Sequence, residues 1–408
     1  MKLKKQLFPL FITVFLDLLG MGIVIPIAAP LLLSANEKML PSYFSFGQRS
    51  FILGLLLGIF SVLQFFGAPV LGALADKYGR KRLLLLSIGG TCLSYLLFAI
   101  GIMRRSILLC FFSRALDGFT GGNISIAMSV ISDITEEKDR AKNFGLIGVS
   151  FGLGFILGPF VSGILMDTKL VSWFNYTTPY WFAFMLSFVN VLILQFLLKE
   201  TLIVKSEAPI KLFTGVRNLR NAFKTQKTRS LFITLFMVVF GFNFFTQFFQ
   251  VFLIYKFSFS ASNIAYLFAY IGLWLAFSQG VVNPSLSRRY NPQFLVSWST
   301  LICALTFPFL LLPGESWWIY LIVPFVALFN GINTPNLAAV ISFQADATKQ
   351  GAILGIRQSI LSIAMAIPPI IAGIITFLNI NLSIWAAAFF TFMGWITFQF
   401  VFLRHGKR

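Results

Sequence analysis

Three charged side chains interrupt apolar segments that are otherwise almost free of charge: Asp17, Arg114 and Asp117. Asp117 follows Arg114 at the i+3 position, which places both side chains on one face of a helix. A carboxylate in the middle of a membrane costs roughly 2.5–3.5 kcal/mol on insertion scales, so it should face a cavity or a partner. We hypothesise that these groups handle protons, with Arg114 holding a carboxylate in a titratable state. The alternative is a fixed ion pair that only joins helices.

Amides and aromatic rings in the second half of the chain suggest a cargo-binding surface. They recur at helical spacing, so each set shares one face, and an aromatic wall with few polar groups is typical of small-molecule sites. Because the chain has 50 Phe residues, most of its rings must face lipid or pack in a core. The candidate cargo-binding residues are Asn243, Gln247, Gln250, Tyr270, Trp274, Asn333 and Arg357.

Arg357 has two interpretations. A guanidinium inside a membrane span suits a carboxylate or phosphate of the cargo, because it can bind such a group through two parallel hydrogen bonds. Alternatively, its long side chain reaches the nearby membrane surface. Both interpretations stay open at the level of sequence.

The elements that must position these residues are membrane helices. The chain has 408 residues, of which 58% are hydrophobic and 11% charged, so the bilayer must be its solvent. An open sheet cannot satisfy its backbone in lipid, so all spans are predicted to be helical. Twelve spans are predicted, at residues 7–32, 50–71, 83–102, 106–131, 142–166, 179–198, 230–254, 262–283, 294–313, 316–340, 351–377 and 382–403.

Charge between the spans predicts the orientation and the partners. With both termini inside, 24 Lys and Arg residues fall on the inner side and six on the outer side, which predicts cytoplasmic termini. The net charge of +19 does not indicate nucleic acid binding, because the bases lie at span ends. The cysteines show no metal or disulfide spacing, and we predict no cofactor and no metal.

The two halves of the chain resemble each other. Displacing the sequence by 210 positions aligns Gly121, Asn123 and Pro159 with Gly331, Asn333 and Pro369, and aligns two Val-Ile-Ser triplets without a gap. Paired six-span halves are a common construction of secondary transporters. The predicted domains are an N-terminal six-helix bundle (1–198), a basic cytoplasmic linker (199–229) and a C-terminal six-helix bundle (230–408).

The basic stretch from Leu71 to Arg82 is predicted to be a structured loop between spans two and three. Asp76 is a lone carboxylate among cations, and it can accept hydrogen bonds from the positive end of a helix. Arg80 can pair with Asp133 at the end of span four. The predicted gating residues are Gly72, Asp76, Gly79, Arg80 and Asp133.

Four motifs in order give the chain a resemblance to the major facilitator superfamily, close to its twelve-helix bacterial drug:proton antiporters. These motifs are Gly72, Leu74, Asp76, Gly79, Arg80 and Lys81; Asp17, Gly20, Gly22 and Pro26; Arg114, Gly118 and Gly122; and Gly154, Gly158, Pro159 and Gly163. The resemblance implies proton handling by Asp17 and Arg114, a cytoplasmic latch at the Asp76 loop, and an antiporter motif in span five. Asp117 departs from the pattern, which usually has an uncharged residue there.

The glycines of the span-five motif, Gly154, Gly158 and Gly163, lie on nearly one face, and Pro159 can kink the helix. We predict that they form a tight seam between the halves, with ordinary helix packing as the alternative.

The sequence therefore predicts an all-α integral membrane protein with twelve helices in two pseudo-symmetric bundles. Its predicted function is proton-coupled export of amphipathic compounds by alternating access, as a monomer in the bacterial cytoplasmic membrane. Arg357 motivates the alternative of a transporter for an anionic metabolite or a carboxylate-type siderophore. An enzyme is not predicted, because the chain has no nucleotide-binding loop, and its one histidine, His405, lies near the end.

Overall fold

The computed structural model describes residues 4–34, 37–135, 150, 153–154, 156–202, 220, 226–342 and 350–402. Across these ranges the protein is helical, with no strand. The helices are α1 (Lys4–Leu33), α2 (Phe46–Tyr78), α3 (Arg80–Met103), α4 (Ile107–Thr120), α5 (Asn123–Ile134), α6 (Ile156–Met166), α7 (Thr178–Leu197), α8 (Gln226–Phe257), α9 (Ala261–Phe277), α10 (Asn283–Ser287), α11 (Pro292–Thr306), α12 (Trp317–Ser342), α13 (Gln350–Ile375) and α14 (Leu382–Ile396).

Within the described ranges, ten helical segments are long and apolar enough to cross a membrane. Two further predicted spans are present in other forms. The fourth span is broken into α4 and α5, and the fifth is represented by α6, while residues 136–149 before it lie outside the described ranges. The all-helical, twelve-span architecture predicted from the sequence is therefore confirmed. Exposed apolar side chains such as Phe112, Phe196 and Trp298 provide its lipid-facing surface.

The helices form two compact units. The first unit comprises Met1–Tyr43, Ile59–Thr214 and Ser260–Ala269, and the second comprises Phe44–Gly58, Gly215–Phe259 and Tyr270–Arg408. Each unit consists mainly of one half of the chain. The exceptions are the start of α2, which belongs to the second unit, and the start of α9, which belongs to the first. The bundle boundaries predicted from the sequence stay a prediction, and most of the predicted linker lies outside the described residues.

Each unit has its own apolar core, and the two cores use corresponding residues. In the first unit, Val130 and Ile131 of α5 pack with side chains of α1, α2, α3 and α7. In the second unit, Val340 and Ile341 of α12 pack with side chains of α8, α11 and α13. The aligned Val-Ile pairs of the sequence repeat therefore occupy equivalent buried positions.

The stretch from Leu71 to Arg82 is mostly helical and is not the structured loop that the sequence predicted. α2 continues to Tyr78 because Leu71 and Ala75 pack in the first core, and α3 begins at Arg80. Only Gly79 separates the two helices, with a φ of 112° that favours glycine. Gly72 consequently lies inside α2.

Candidate functional site

A break in the fourth span lies beside Asp17, the first of the two candidate carboxylates. α4 ends at Thr120, and α5 begins at Asn123, so Gly121 and Gly122 interrupt the helix. The side chain of Gln64 donates a hydrogen bond of 3.0 Å to the Gly121 carbonyl, which satisfies one backbone group freed by the break. Because the new helix starts in the interior, its positive end is available to an anion.

Asp17 of α1 contacts a side chain at the start of this helix. The side-chain amide of Asn123, the first residue of α5, donates a hydrogen bond of 2.6 Å to Oδ1 of Asp17. No ion pair joins Asp17 to a cation among the described residues. Asp17 is therefore held by a neutral amide, a partner that can accommodate both a charged and a protonated carboxyl group.

Asp117 has a different environment, because it pairs with Arg114. The two side chains are buried, and Nη1 of Arg114 lies 3.0 Å from Oδ2 of Asp117. The guanidinium also lies over the ring of Phe60, 4.4 Å from its centroid, in a cation–π contact. The structure thus brings Arg114 together with Asp117 and leaves Asp17 to Asn123. Nε of Arg114 is buried without a hydrogen-bond partner.

Two tyrosines complete this buried cluster, and sequence reasoning missed both. Tyr95 of α3 lies against Gly20 of α1, where its hydroxyl occupies the space that a Cβ would need, and it lies within the electrostatic reach of both carboxylates. Tyr180 of α7 stacks on Phe98 with centroids 4.3 Å apart, and its hydroxyl is buried without a partner. A hydroxyl-bearing ring inside an apolar span was the only signal available, and it is a weak one.

A second polar cluster lies at the junction of α2 and α3. Arg80 forms ion pairs with Asp76 and with Asp133, whose Oδ2 is 3.2 Å from Nε of Arg80. The hydroxyl of Thr201 donates to the same Oδ2 at 3.2 Å. The predicted pairing of Arg80 with Asp133 is therefore present as a contact. The hydrogen bonding of Asp76 to a helix N-terminus stays a prediction.

Glu200 is the residue of this junction that the sequence analysis overlooked. Its carboxylate accepts backbone hydrogen bonds from Arg80 at 2.9 Å and Lys81 at 3.2 Å, so it caps the start of α3. Burial raises the pKa of Glu200, but the backbone N–H groups of Leu202, Arg80, Thr201 and Lys81 outweigh that effect and bring its pKa below the ordinary value. The sequence shows only an acidic residue just after span six, and no motif there indicates that it caps a helix.

The glycines of the predicted antiporter motif make close helix contacts. A Cβ on Gly154 would lie 2.7 Å from Leu18, and one on Gly158 would lie 2.7 Å from Gly22. Both partners belong to α1, so this seam lies inside the first unit. A Cβ on Gly163 would lie 2.8 Å from the Cβ of Ala265 in α9. A Cβ on Gly22 would lie 3.0 Å from Cδ of Pro159. The prediction of a seam between the two halves is thus replaced, for Gly154 and Gly158, by a seam between α1 and the α6 region.

The amides predicted to bind cargo are mostly engaged with the protein itself. Asn243 donates to the carbonyl of Val239 at 2.8 Å, and Gln250 donates to the carbonyl of Gln247 at 3.1 Å. Asn243 and Gln250 are both buried, so the helical stripe of α8 faces packed protein at these two positions. Asn333 hydrogen-bonds Thr300 of α11.

A small cavity lies within the second unit. Its lining residues are Val238, Phe242, Thr300, Cys303, Asn330, Asn333 and Thr391. Among the predicted cargo-binding residues, Asn333 alone lines this cavity. Tyr270 and Trp274 contact each other edge to face at 6.2 Å, and the Tyr270 hydroxyl donates to the Tyr320 carbonyl at 3.2 Å.

The sequence repeat relates one residue of this cavity to the carboxylate cluster of the first unit. Asn333 is the counterpart of Asn123 at the 210-residue spacing, and the counterparts of Arg114 and Asp117 are Pro324 and Ala327. The second unit therefore has a neutral region where the first unit has its ion pair.

Paired helical units that keep carboxylates and a guanidinium inside apolar spans define a multi-pass membrane transporter. The chain belongs to the Major Facilitator Superfamily, whose family model matches residues 10–367. Members of this family are transporters and not enzymes, as the sequence predicted. The resemblance to the drug-efflux branch is also confirmed by the relatives described next.

The chain is 28% identical to the class B tetracycline resistance protein of Escherichia coli, over 93% of this chain and 88% of that protein. It is 27% identical to the quinolone resistance protein NorA of Staphylococcus aureus (strain MRSA252), over 94% of this chain and 93% of that protein. The crystal structure of the human organic anion transporter MFSD10 has the same fold, with a TM-score of 0.74 and 22% identity over 97% of this chain and 99% of that chain.

Proposed function

We propose that this chain is a proton-coupled exporter of amphipathic compounds. In this proposal it works by alternating access, as a monomer, in the bacterial cytoplasmic membrane with both termini in the cytoplasm. The observation that carries the proposal is the unequal partnering of two carboxylates inside the spans, since among the described residues Asp117 pairs with a cation and Asp17 with an amide. The resistance proteins among its relatives support the direction of transport and the amphipathic cargo.

The geometry suggests a division of roles. The Arg114–Asp117 pair stays charged, because each ion stabilises the other in a region without water. Asp17 is the carboxyl group that can take up and release a proton, because it lacks a cation that would hold it ionised. Cargo and proton then compete when protonation of Asp17 changes the packing of α1 against α5.

Transport in proteoliposomes with an imposed pH gradient tests this proposal. We expect the wild-type protein to accumulate tetraphenylphosphonium or a neutral dye against the concentration gradient of the probe. In the Asp17→Asn variant, the rate of uptake driven by the pH gradient should fall about tenfold or more. Exchange of cargo without a gradient should persist in Asp17→Asn. Asp167→Asn is the matched control, because Asp167 lies outside the helices. Gradient-driven uptake by Asp17→Asn at the wild-type rate would contradict the assignment.

A second candidate function is transport of an anionic metabolite or a carboxylate-type siderophore. The specific observation in its favour is Arg357, a half-buried cation of α13.

A further inference from the structure

Arg357 differs from the other arginine inside a span. Arg114 has a carboxylate at 3.0 Å and an aromatic ring beneath it. Arg357 forms no ion pair within the described part of the chain, and its Nε is buried without a hydrogen-bond partner. A guanidinium in a membrane helix is normally paired or turned to a water-filled cavity, so Arg357 either faces water or takes an anion that the described residues do not provide.

The second half of the chain has few acids that could serve. From residue 230 to the end, the sequence contains only Glu315 and Asp346. Glu315 is exposed and precedes α12, a helix of 26 residues, whereas Arg357 follows the opposite end of that helix. At 1.5 Å per residue, α12 separates the two ends by about 39 Å. Asp346 lies outside the described residues, so the experiment below includes it.

The surroundings of Arg357 are suited to an amphipathic anion. Its neighbour Gln358 is exposed, and Met365, two turns further along α13, is accessible on the same side as Gln358. Leu361, one turn beyond Arg357 on the same helical face, packs against the core of the second unit, as does Ile356. Arg357 therefore lies between the packed face of α13 and the accessible strip that contains Gln358 and Met365.

We propose that Arg357 binds the anionic group of those cargo molecules that have one, so that the transported amphipathic compounds include organic anions with a carboxylate, sulfonate or phosphate. The fork of the guanidinium binds two oxygens of such a group at once, which gives both affinity and orientation. This inference rests on the proposed function, because it specifies the cargo of the same carrier. It assigns to the second unit the recognition of cargo charge, while the first unit holds the proton-handling carboxylates.

The test uses two probes that differ in one charge. Naphthalene-2-sulfonate and naphthalene-2-sulfonamide share a ring system, but only the sulfonate is anionic. Binding of each is measured by calorimetry on the full chain in detergent, so that the result does not depend on proton-driven transport. We expect the wild type to prefer the sulfonate, and Arg357→Gln to bind it tenfold or more weaker with little change for the sulfonamide. Arg357→Lys should fall between them, since it keeps the charge and loses the fork.

Controls separate this inference from its alternatives. Arg289→Gln removes the same charge from an exposed position of the second unit and should leave sulfonate binding unchanged. Equal binding of both probes by the wild type, or an unchanged preference in Arg357→Gln, would overturn the inference. A loss of sulfonate affinity in Asp346→Asn equal to that in Arg357→Gln would also overturn it, because Arg357 would then serve an internal ion pair. Competition by added phosphatidylglycerol would assign the site to a lipid phosphate instead.

The two proposals can fail separately. A carrier that binds the sulfonate through Arg357 but moves no probe in response to a pH gradient retains this inference and loses proton coupling. A carrier that drives tetraphenylphosphonium uptake but does not distinguish the two naphthalene probes retains proton coupling and loses this inference.

Discussion

Asp17 and Asp117 are two carboxylates of the first unit that differ in the side chain that contacts them. The sequence places both in apolar spans and does not show which of them Arg114 contacts. In the structure, Asn123 donates to Asp17, whereas Arg114 pairs with Asp117. Asp117, the residue that departs from the family pattern, is thus the one that neutralises the buried arginine. The departure therefore has a structural reason, which is compensation of a charge next to Phe60.

The Asp117→Asn variant should lose stability, because it leaves a buried guanidinium without its counterion. Removing one partner of a buried ion pair costs on the order of 3 kcal/mol. Thermal unfolding in detergent should show a clear fall in Tm for Asp117→Asn. The double variant Arg114→Met with Asp117→Leu should recover most of this loss, since no unpaired charge remains. A double variant as unstable as the single one would show that packing, rather than charge, governs this site.

At the scale of elements, the junction of α2 and α3 depends on a residue from a distant part of the chain. Glu200, after the end of α7, caps the first turn of α3 and so joins the two helices at this end of the first unit. Together with the pairs made by Arg80, this contact fixes the single-residue turn at Gly79. The motif residues therefore act through a partner that lies outside their motif.

The Glu200→Gln variant should weaken this junction by up to about 1 kcal/mol, because glutamine keeps one acceptor oxygen but loses the second acceptor and the negative charge at the start of α3. The pKa of Glu200 is lowered in the folded protein, so its contribution is fully present above the unfolded pKa of about 4.3 and is lost only as the pH falls through the lower folded value. We therefore expect the difference in Tm between wild type and Glu200→Gln to be constant from neutral pH down to about pH 5. A difference that disappears already between pH 7 and pH 6 would contradict the capping role.

The seam between α1 and the α6 region depends on glycines at positions of close approach. In Gly158→Ala, the new Cβ would lie 2.7 Å from Cα of Gly22 and from the Leu19 carbonyl oxygen, so the backbones must separate. Forced shifts of this kind typically cost 1–3 kcal/mol. Gly89→Ala is the control, because nothing lies within 4 Å of its Cβ and alanine favours a helix. Thermal unfolding should show destabilisation for Gly158→Ala and none for Gly89→Ala; equal effects would remove the packing argument.

At the scale of the whole molecule, apolar runs and internal repeats were enough to predict the helical fold. The bilayer leaves the backbone few alternatives, and the aligned Val130 and Val340 positions are both buried in cores. Pairing between distant side chains could not be predicted in the same way. The sequence placed Asn243 and Gln250 on one helical face but could not show that both hydrogen-bond their own helix. It also gave no signal that Glu200 caps α3, because that contact joins segments over a hundred residues apart.

The predicted orientation of the whole molecule can be measured through single cysteines. The native residues Cys92, Cys110 and Cys303 are buried, so they provide a low background for a thiol reagent that does not cross membranes. The asymmetric distribution of Lys and Arg predicts that Lys77 and Arg289 face the cytoplasm and that Arg104 and Lys169 face outward. In intact cells, Arg104→Cys and Lys169→Cys should react, whereas Lys77→Cys and Arg289→Cys should react only after the cells are opened. The reverse pattern would invert the orientation and, with it, the direction proposed for export.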